Sequence, residues 1–282
     1  MKIGAFCVCD ANYVNPAIIA IDSFCRFNAG IHVVIYTENA GNYRRLKRAL
    51  IDKNVEFRET DFPQFPEYDE LNAPYKNLFF QPESLPAYAQ RIKGLEELRD
   101  EFDIIINFDL DTLTTGNISN APFMQFVGRN TIHGVSEREN RTRWQKGLNI
   151  TEFANMPGYI NTGIGIYGAD AIPADMMRLY REFLHNYADH IYCPEQDFIN
   201  FQFADKIKNI PPGYNLMSTG RNYKDISPVM IHFVGTAKPW TPLYRPGAEC
   251  YYFRRYYREA CLYRGQIDDE FLNALEKNVS MC

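Results

Sequence analysis

An apolar run opens the chain. Ile3 to Cys9 carries no charge, stops at Asp10, and predicts a strand buried within a sheet. Asp10-Ala11-Asn12-Tyr13 is the loop at its carboxyl end. Asn15-Pro16 then opens a helix, since proline is tolerated in a first turn and Ile18, Ile19, Ile21 and Phe24 suit one face. Ile31 to Tyr36 is a second apolar strand. Tyr43 to Asp52 patterns as an amphipathic helix, with Arg44, Arg45, Lys47 and Arg48 as its solvated face. Val55 to Arg58 is a third, short strand. Strands and helices alternating in this order predict parallel strands with helices on both faces of the sheet.

Asp61 to Pro86 breaks the rhythm with Pro63, Pro66, Pro74, Pro82 and Pro86 among Phe62, Phe65, Tyr68, Tyr75, Phe79 and Phe80. This is a long loop with aromatic anchors, and such loops are usually functional. An acceptor-side lid and a packed insertion both fit it. Tyr88 to Arg99 reads as a helix that leads to the strand Ile104-Ile105-Ile106-Asn107-Phe108. Thr131 to Val135 and Gly158 to Tyr167 read as strands, Ala174 to Tyr187 as a helix, and Pro194 onward as another. Met230 to Val234 is a last strand. The expected boundaries are a main domain over 1–245 and a C-terminal aromatic and basic segment with a helix over 246–282.

Composition narrows the function. The 282 residues can bury a substantial core, and 46% are hydrophobic. A net charge of -5 argues against nucleic acid as the main partner, because duplex binding needs a basic footprint. Cys is present seven times, an odd number, with no CxxC pair, so reduced core cysteines and a cytoplasmic location are expected. No apolar run approaches the ~20 residues of a membrane span.

Two segments carry candidate chemistry. Asp109-Leu110-Asp111 directly follows the Ile104 strand, at the strand end where α/β sheets bind ligands. Two carboxylates this close repel each other unless a cation sits between them. His232 heads the loop His232-Phe233-Val234-Gly235-Thr236-Ala237-Lys238-Pro239-Trp240. An imidazole and two carboxylates suit a divalent cation, Gly235 permits close backbone approach, and Lys238 can neutralise a phosphate. A core histidine is the competing reading of His232. A metal-bound nucleotide diphosphate, and so a nucleotide-sugar enzyme, fits the set.

The same residues carry a resemblance. The His232–Trp240 block resembles the HxxGxxKPW block of glycosyltransferase family 8, and Phe108-Asp109-Leu110-Asp111-Thr112 resembles its DxD strand. Gly158-Tyr159-Ile160-Asn161-Thr162-Gly163-Ile164 is similar to its FNxG strand, and Glu195-Gln196-Asp197-Phe198-Ile199-Asn200 to its DQD helix start. Cys9-Asp10-Ala11-Asn12-Tyr13 is similar to its first nucleotide loop. The blocks stand in family order from residue 3 to about 240.

The resemblance implies a GT-A type nucleotide-diphospho-sugar transferase fold, with a mostly parallel central sheet and helices on both faces. It implies Mn2+, or Mg2+, on Asp109, Asp111 and His232, and a UDP-sugar as donor. Val8, Asp10, Asn12 and Tyr13 would hold the nucleotide, with Asp109-Leu110-Asp111, Gly235 and Lys238 at the diphosphate. Asn161 and Gln196 would lie near the anomeric carbon, and Asp197 would reach sugar hydroxyls. Either Arg91 or Lys93 would touch the donor, and Glu137 the acceptor. Transfer would retain configuration. Gln196 is a poor nucleophile, so a front-face path, in which the leaving phosphate helps deprotonate the acceptor hydroxyl, is expected.

Two other classes remain as alternatives. A sugar-nucleotide nucleotidyltransferase would want a Gly- and Lys/Arg-rich first loop, which Asp10-Ala11-Asn12-Tyr13 is not. A non-catalytic sugar-nucleotide or glycan binder would not need Asp109, Asp111, His232, Lys238 and Gln196 together. The tail Tyr251 to Arg258 mixes aromatics with three arginines, and it reads either as a packed helix or as a peripheral membrane contact. Sugar, acceptor and oligomeric state have no signature in the sequence.

Overall fold

Successive strand residues enter opposite faces of a sheet, and here they enter two different cores. The computed structural model describes residues 1–38, 43–68, 84–137, 158–188, 191, 193–218, 226–235, 238–241 and 250–281. In β1 (Ile3–Cys9), Ala5, Cys7 and Cys9 join one apolar cluster while Phe6 joins the other. β2 (His32–Thr37) repeats this, with Val33 and Ile35 on one side and Val34 and Tyr36 on the other. β4 (Ile104–Phe108) sends Ile104, Ile106 and Phe108 one way and Ile105 the other.

The central sheet has seven strands in the order β3-β2-β1-β4-β7-β6-β8. Here β3 is Val55–Glu59, β6 is Ile132–Ser136, β7 is Ile160–Gly168 and β8 is Ile207–Asn209. Only β7 runs against its neighbours, so the sheet is mostly parallel as expected. A second sheet of three strands has the order β5-β10-β9, formed by Thr112–Thr114, Met230–His232 and Leu216–Met217.

Helices cover both faces. α1 (Val14–Phe27), α2 (Arg44–Ala49), α6 (Cys250–Cys261) and α7 (Asp269–Ser280) pack into the first cluster with the small sheet. α3 (Leu85–Leu98), α4 (Met176–Tyr187) and α5 (Pro194–Gln202) pack into the second. On α3, Leu85, Ala89, Ile92 and Leu95 form the buried face. That helix starts three residues before Tyr88, because Pro86 suits its first turn.

Two packing features position the site. Phe24 of α1 stacks on Phe108 with centroids 4.5 Å apart, holding the end of β4 just before Asp109. Truncating such a buried ring to alanine costs about 3–5 kcal/mol. The C-terminal helices seat the loop after β10. Phe233 meets Phe253 and Tyr256, Trp240 meets Tyr256 and Phe271, and Asn278 Nδ2 donates to Pro239 O.

The strands β5, β8 and β9 were not expected. Each has only two or three residues, too few for a period to show. Most of the Asp61–Pro86 loop, residues 69–83, lies outside the described residues, as do Thr236 and Ala237.

Candidate functional site

Strand register brings the DxD turn to the histidine. β10 pairs with β5 so that His232 faces Thr112, the residue after Asp111. Phe233 N–H donates to Asp111 O at 2.9 Å, and Thr112 Oγ1 donates to Asp109 O at 2.6 Å, which closes the turn. On the other side Asp109 N–H donates to Gly163 O at 2.9 Å. Asp109, Asp111 and His232 therefore converge from three strands, and one ligand atom of each lies within 4.8 Å of the others. Nε2 of His232 is 3.2 Å from Asp111 Oδ1 and 3.5 Å from Asp109 Oδ2.

The donor set fits a divalent cation. Asp111 Oδ1 is buried and makes no hydrogen bond, despite its approach to Nε2. A buried carboxylate oxygen without a partner is costly unless something positive faces it. Two oxygens and an imidazole nitrogen match Mn2+ or Mg2+ in type, with Mn2+ the better match for the nitrogen.

Lys238 stands beside the same carboxylate. Its ammonium contacts Asp111 Oδ2 and donates to Phe233 O at 2.7 Å. Burial alone would raise the Asp111 pKa, but the adjacent Lys238 charge overrides it and holds the carboxyl well below its usual range. Gly235 has φ +81°, a conformation that glycine adopts without strain, and a β-carbon there would meet open space.

Arg91 and Lys93 separate. Arg91 on α3 is buried and contacts Asp109 Oδ1 at 2.8 Å and Glu195 Oε2 at 3.3 Å. It also donates to Asn107 Oδ1 and to Thr162 O at 2.7 Å. Lys93 lies away from this cluster, near Thr60 and Glu97. Glu195 shares Arg91 with the nearer Asp109, and burial pushes its pKa up to about 7 against the opposing Arg91 charge.

A second network surrounds Gln196. Its Nε2 donates to Glu137 Oε2 at 2.9 Å and to Tyr159 Oη at 3.0 Å. Its Oε1 accepts from Asn161 Nδ2 at 3.1 Å and Thr162 N–H at 3.2 Å. Glu137 is buried and also accepts from Asn161 Nδ2, and burial raises its pKa against these bonds. Asp197 is wholly buried. Its carboxylate accepts from Tyr159 Oη at 2.5 Å and from Cys193 N–H at 2.9 Å, at the start of α5. The expectation that Asp197 reaches sugar hydroxyls therefore meets a carboxylate turned to its own helix end and to Tyr159.

The first loop is more exposed. Asp10 Oδ1 accepts from Asn12 N–H at 2.8 Å and Tyr13 N–H at 3.1 Å, capping the turn Ala11–Tyr13. The Tyr13 ring stands edge-on to Trp240, with centroids 6.5 Å apart, so the first and last motif blocks meet. Asn12 is exposed, Val8 packs on the α3 side of the sheet, and the Leu110 side chain is in the core.

Sequence reasoning missed several members. Glu195 and Tyr159 lie inside the motif blocks, but the resemblance assigns them no role. Asn107 was hidden in an apolar strand. Asn215 had no signal at all, since nothing in Pro211-Pro212-Gly213-Tyr214-Asn215 marks a site.

Comparison with known proteins identifies the fold and the family. The galactosyltransferase LgtC in complex with donor and acceptor sugar analogs superposes with a TM-score of 0.65 at 15% identity, covering 94% of this chain and 100% of that chain. The glycosyltransferase GlyE of Streptococcus pneumoniae TIGR4 gives 0.61 at 13% identity, over 99% of this chain and 63% of its own. The WbbM bifunctional glycosyltransferase gives 0.58 at 17% identity, over 99% of this chain and 50% of that chain. These likenesses show the fold, which is the GT-A type. No curated protein sequence matches the chain. A family model described as glycosyl transferase family 8 matches residues 5–243, from β1 through the Lys238 loop, so the chain belongs to that family and is a glycosyltransferase.

Proposed function

We propose that this glycosyltransferase moves a hexose from a UDP-sugar to an acceptor hydroxyl, with retention of configuration and with a divalent cation on Asp109, Asp111 and His232. The observation that carries this reading is the convergence of those three side chains, with Lys238 beside them, at the carboxyl end of β4. The cation, when bound, supplies positive charge at the diphosphate.

The chain's own residues do the rest. Lys238 adds positive charge where the leaving diphosphate gains negative charge, and such charge favours the transition state over the ground state. Asp10, Asn12 and Tyr13 form the nucleotide side, and Glu137 the acceptor side. Arg91, rather than Lys93, is the basic residue at the donor, because its guanidinium reaches Asp109. Glycosyl transfer passes through an oxocarbenium-like state. A front-face path is supported by the two side chains that could otherwise attack the sugar. Gln196 has both ends of its amide bound, and Asp197 is buried under Tyr159. Gln196 then acts by holding Glu137 and Asn161 in place, not by offering its amide oxygen to the sugar ring.

The test is hydrolysis of a panel of UDP-hexoses with and without Mn2+. A metal-dependent preference for one UDP-hexose is expected, and Asp111→Asn should remove most of it with the fold intact. Gln196→Ala should lose about 100-fold, the scale of a 1 Å misplacement of the residues it holds. Mass spectrometry after incubation with donor should find no sugar on Gln196 or Asp197. An adduct on either would replace the front-face path with double displacement.

A peripheral membrane contact belongs to the same proposal. The exposed face of α6 carries Tyr251, Arg254 and Arg258 and continues to Leu262, an aromatic and basic stripe suited to an anionic surface. No helix among the described residues is long and apolar enough to cross a membrane. Co-sedimentation with vesicles of anionic against neutral lipid tests the stripe, and equal binding to both would refute it.

A further inference from the structure

The ring of His232 is buried, and its Nδ1 faces two side-chain amides. Asn161 Oδ1 and Asn215 Oδ1 both lie 3.1 Å from it. The orientation of each amide can be deduced from the backbone outward. Gly163 N–H donates to Asn161 at 2.9 Å, and a backbone N–H can only donate, so the atom it meets is the oxygen. Asn215 then points its Nδ2 at that same Asn161 oxygen, at 2.8 Å, and at Asn161 O. Two acceptors on that side make it the amino end of Asn215. Its oxygen is therefore the atom turned to His232.

Two acceptor oxygens at Nδ1 require a proton there. A neutral imidazole carries only one proton, so Nε2 is left bare. Nε2 is the atom that faces Asp109 and Asp111. A bare nitrogen aimed at two carboxylates is repelled by them and is complementary to a cation placed between the three.

We infer that Asn215, with Asn161, is a positioning residue that locks His232 in the Nδ1–H form and presents Nε2 to the cation. The inference rests on the reading of Asp109, Asp111 and His232 as a cation site. It adds a residue that lies outside every motif block. Register explains how Asn215 arrives there. It precedes β9, whose Leu216 and Met217 pair with Ile231 and His232 of β10. Ser218 N–H closes the pairing on His232 O at 2.8 Å.

The test reads the ring directly. The chain has five histidines, few enough to assign His232 in a 15N-histidine sample by loss of one signal in His232→Gln. Long-range 1H–15N correlation at pH 8, without metal, should show His232 protonated on Nδ1. Asn215→Leu should move the ring toward the Nε2–H form. It should weaken Mn2+ binding, followed by calorimetry with the metal alone, by about 10–100-fold, the usual effect of removing the partner of a metal-ligating histidine. Asn215→Asp keeps an oxygen beside Nδ1 and should keep the Nδ1–H form, which a merely space-filling role for Asn215 would not require.

Native His232 protonated on Nε2 would overturn the inference by itself, even if Asn215→Leu fails to fold, and would leave the cation site standing if Mn2+ still binds. Mn2+ affinity in Asn215→Leu within about twofold of native, the criterion set on the 10–100-fold scale above, would also overturn it. No Mn2+ binding by the native chain, beside an Nδ1–H ring, would overturn the cation site and with it the role of Asn215.

Discussion

Gly163→Ala should disable the site while adding a single methyl group. A β-carbon at Gly163 would lie 2.1 Å from both Cε1 and Nδ1 of His232 and 2.8 Å from Asn161 Oδ1. Carbon atoms in contact settle at about 3.5 Å or more, so the ring would have to retreat by about 1.4 Å. Metal–nitrogen bonds tolerate about 0.2 Å, so His232 could not stay a ligand. The strand cannot yield instead, because Gly163 O accepts from Asp109 N–H at 2.9 Å and would drag the first carboxylate with it. Either movement breaks the ligand set. Mn2+ affinity should fall by about 100-fold or more, at or beyond the top of the range for losing a ligand's supporting partner. Donor hydrolysis should fall by about 100-fold, the effect of a 1 Å misplacement. Overpacking should cost about 1–3 kcal/mol of stability, so the variant should still fold. Gly30→Ala is the control, since a β-carbon there meets nothing within 4 Å. It should change stability by less than about 0.5 kcal/mol and leave Mn2+ binding unchanged. Calorimetry with Mn2+, thermal unfolding and a hydrolysis assay measure all three. Native-like Mn2+ affinity and hydrolysis in Gly163→Ala would refute the placement of His232.

Arg91→Met should leave the buried Glu195 and the partly exposed Asp109 without their shared cation and cost about 3–5 kcal/mol in urea denaturation, and a loss under 1 kcal/mol would show that the pairing is not what holds α3 to the sheet. Glu195 gives a pH signature. Its folded pKa of about 7 stands above the ordinary 4.5, so between those values the folded chain keeps a proton that the unfolded chain has released, and stability falls as pH rises through that window. The full effect is about 3 kcal/mol, at about 1.4 kcal/mol per pKa unit, and Glu195→Gln should flatten that part of the profile in thermal unfolding from pH 4.5 to 8. An identical profile in the variant would place the titration elsewhere.

How much of this was legible depended on range. The Ile104–Phe108 run and the DxD after it are local facts, so strand, turn and carboxylate pair were all readable. Continuous apolar runs in β1, β2 and β4 likewise announced a sheet covered on both faces. Arg91 and Lys93 could not be separated in sequence, because two residues along a helix differ by more than half a turn, and only packing shows which side faces β4. Asp197 could be read two ways in sequence, because a carboxylate in a first helical turn can serve a ligand or the helix itself, and here it bonds Cys193 N–H and Tyr159.

By itself the sequence determined the local grammar of this protein: where the longer strands and helices run, which loop carries the paired carboxylates, and which segment carries histidine and lysine. Those features follow from periodicity and side-chain chemistry over a few residues. The tertiary structure alone decided what meets across long separations. It set His232 opposite Thr112, put Gly163 under the imidazole, and brought Asn215 to Nδ1 through the two residues of β9. Such contacts are fixed by strand register and by the space left between packed elements, and neither is written in any short stretch of chain.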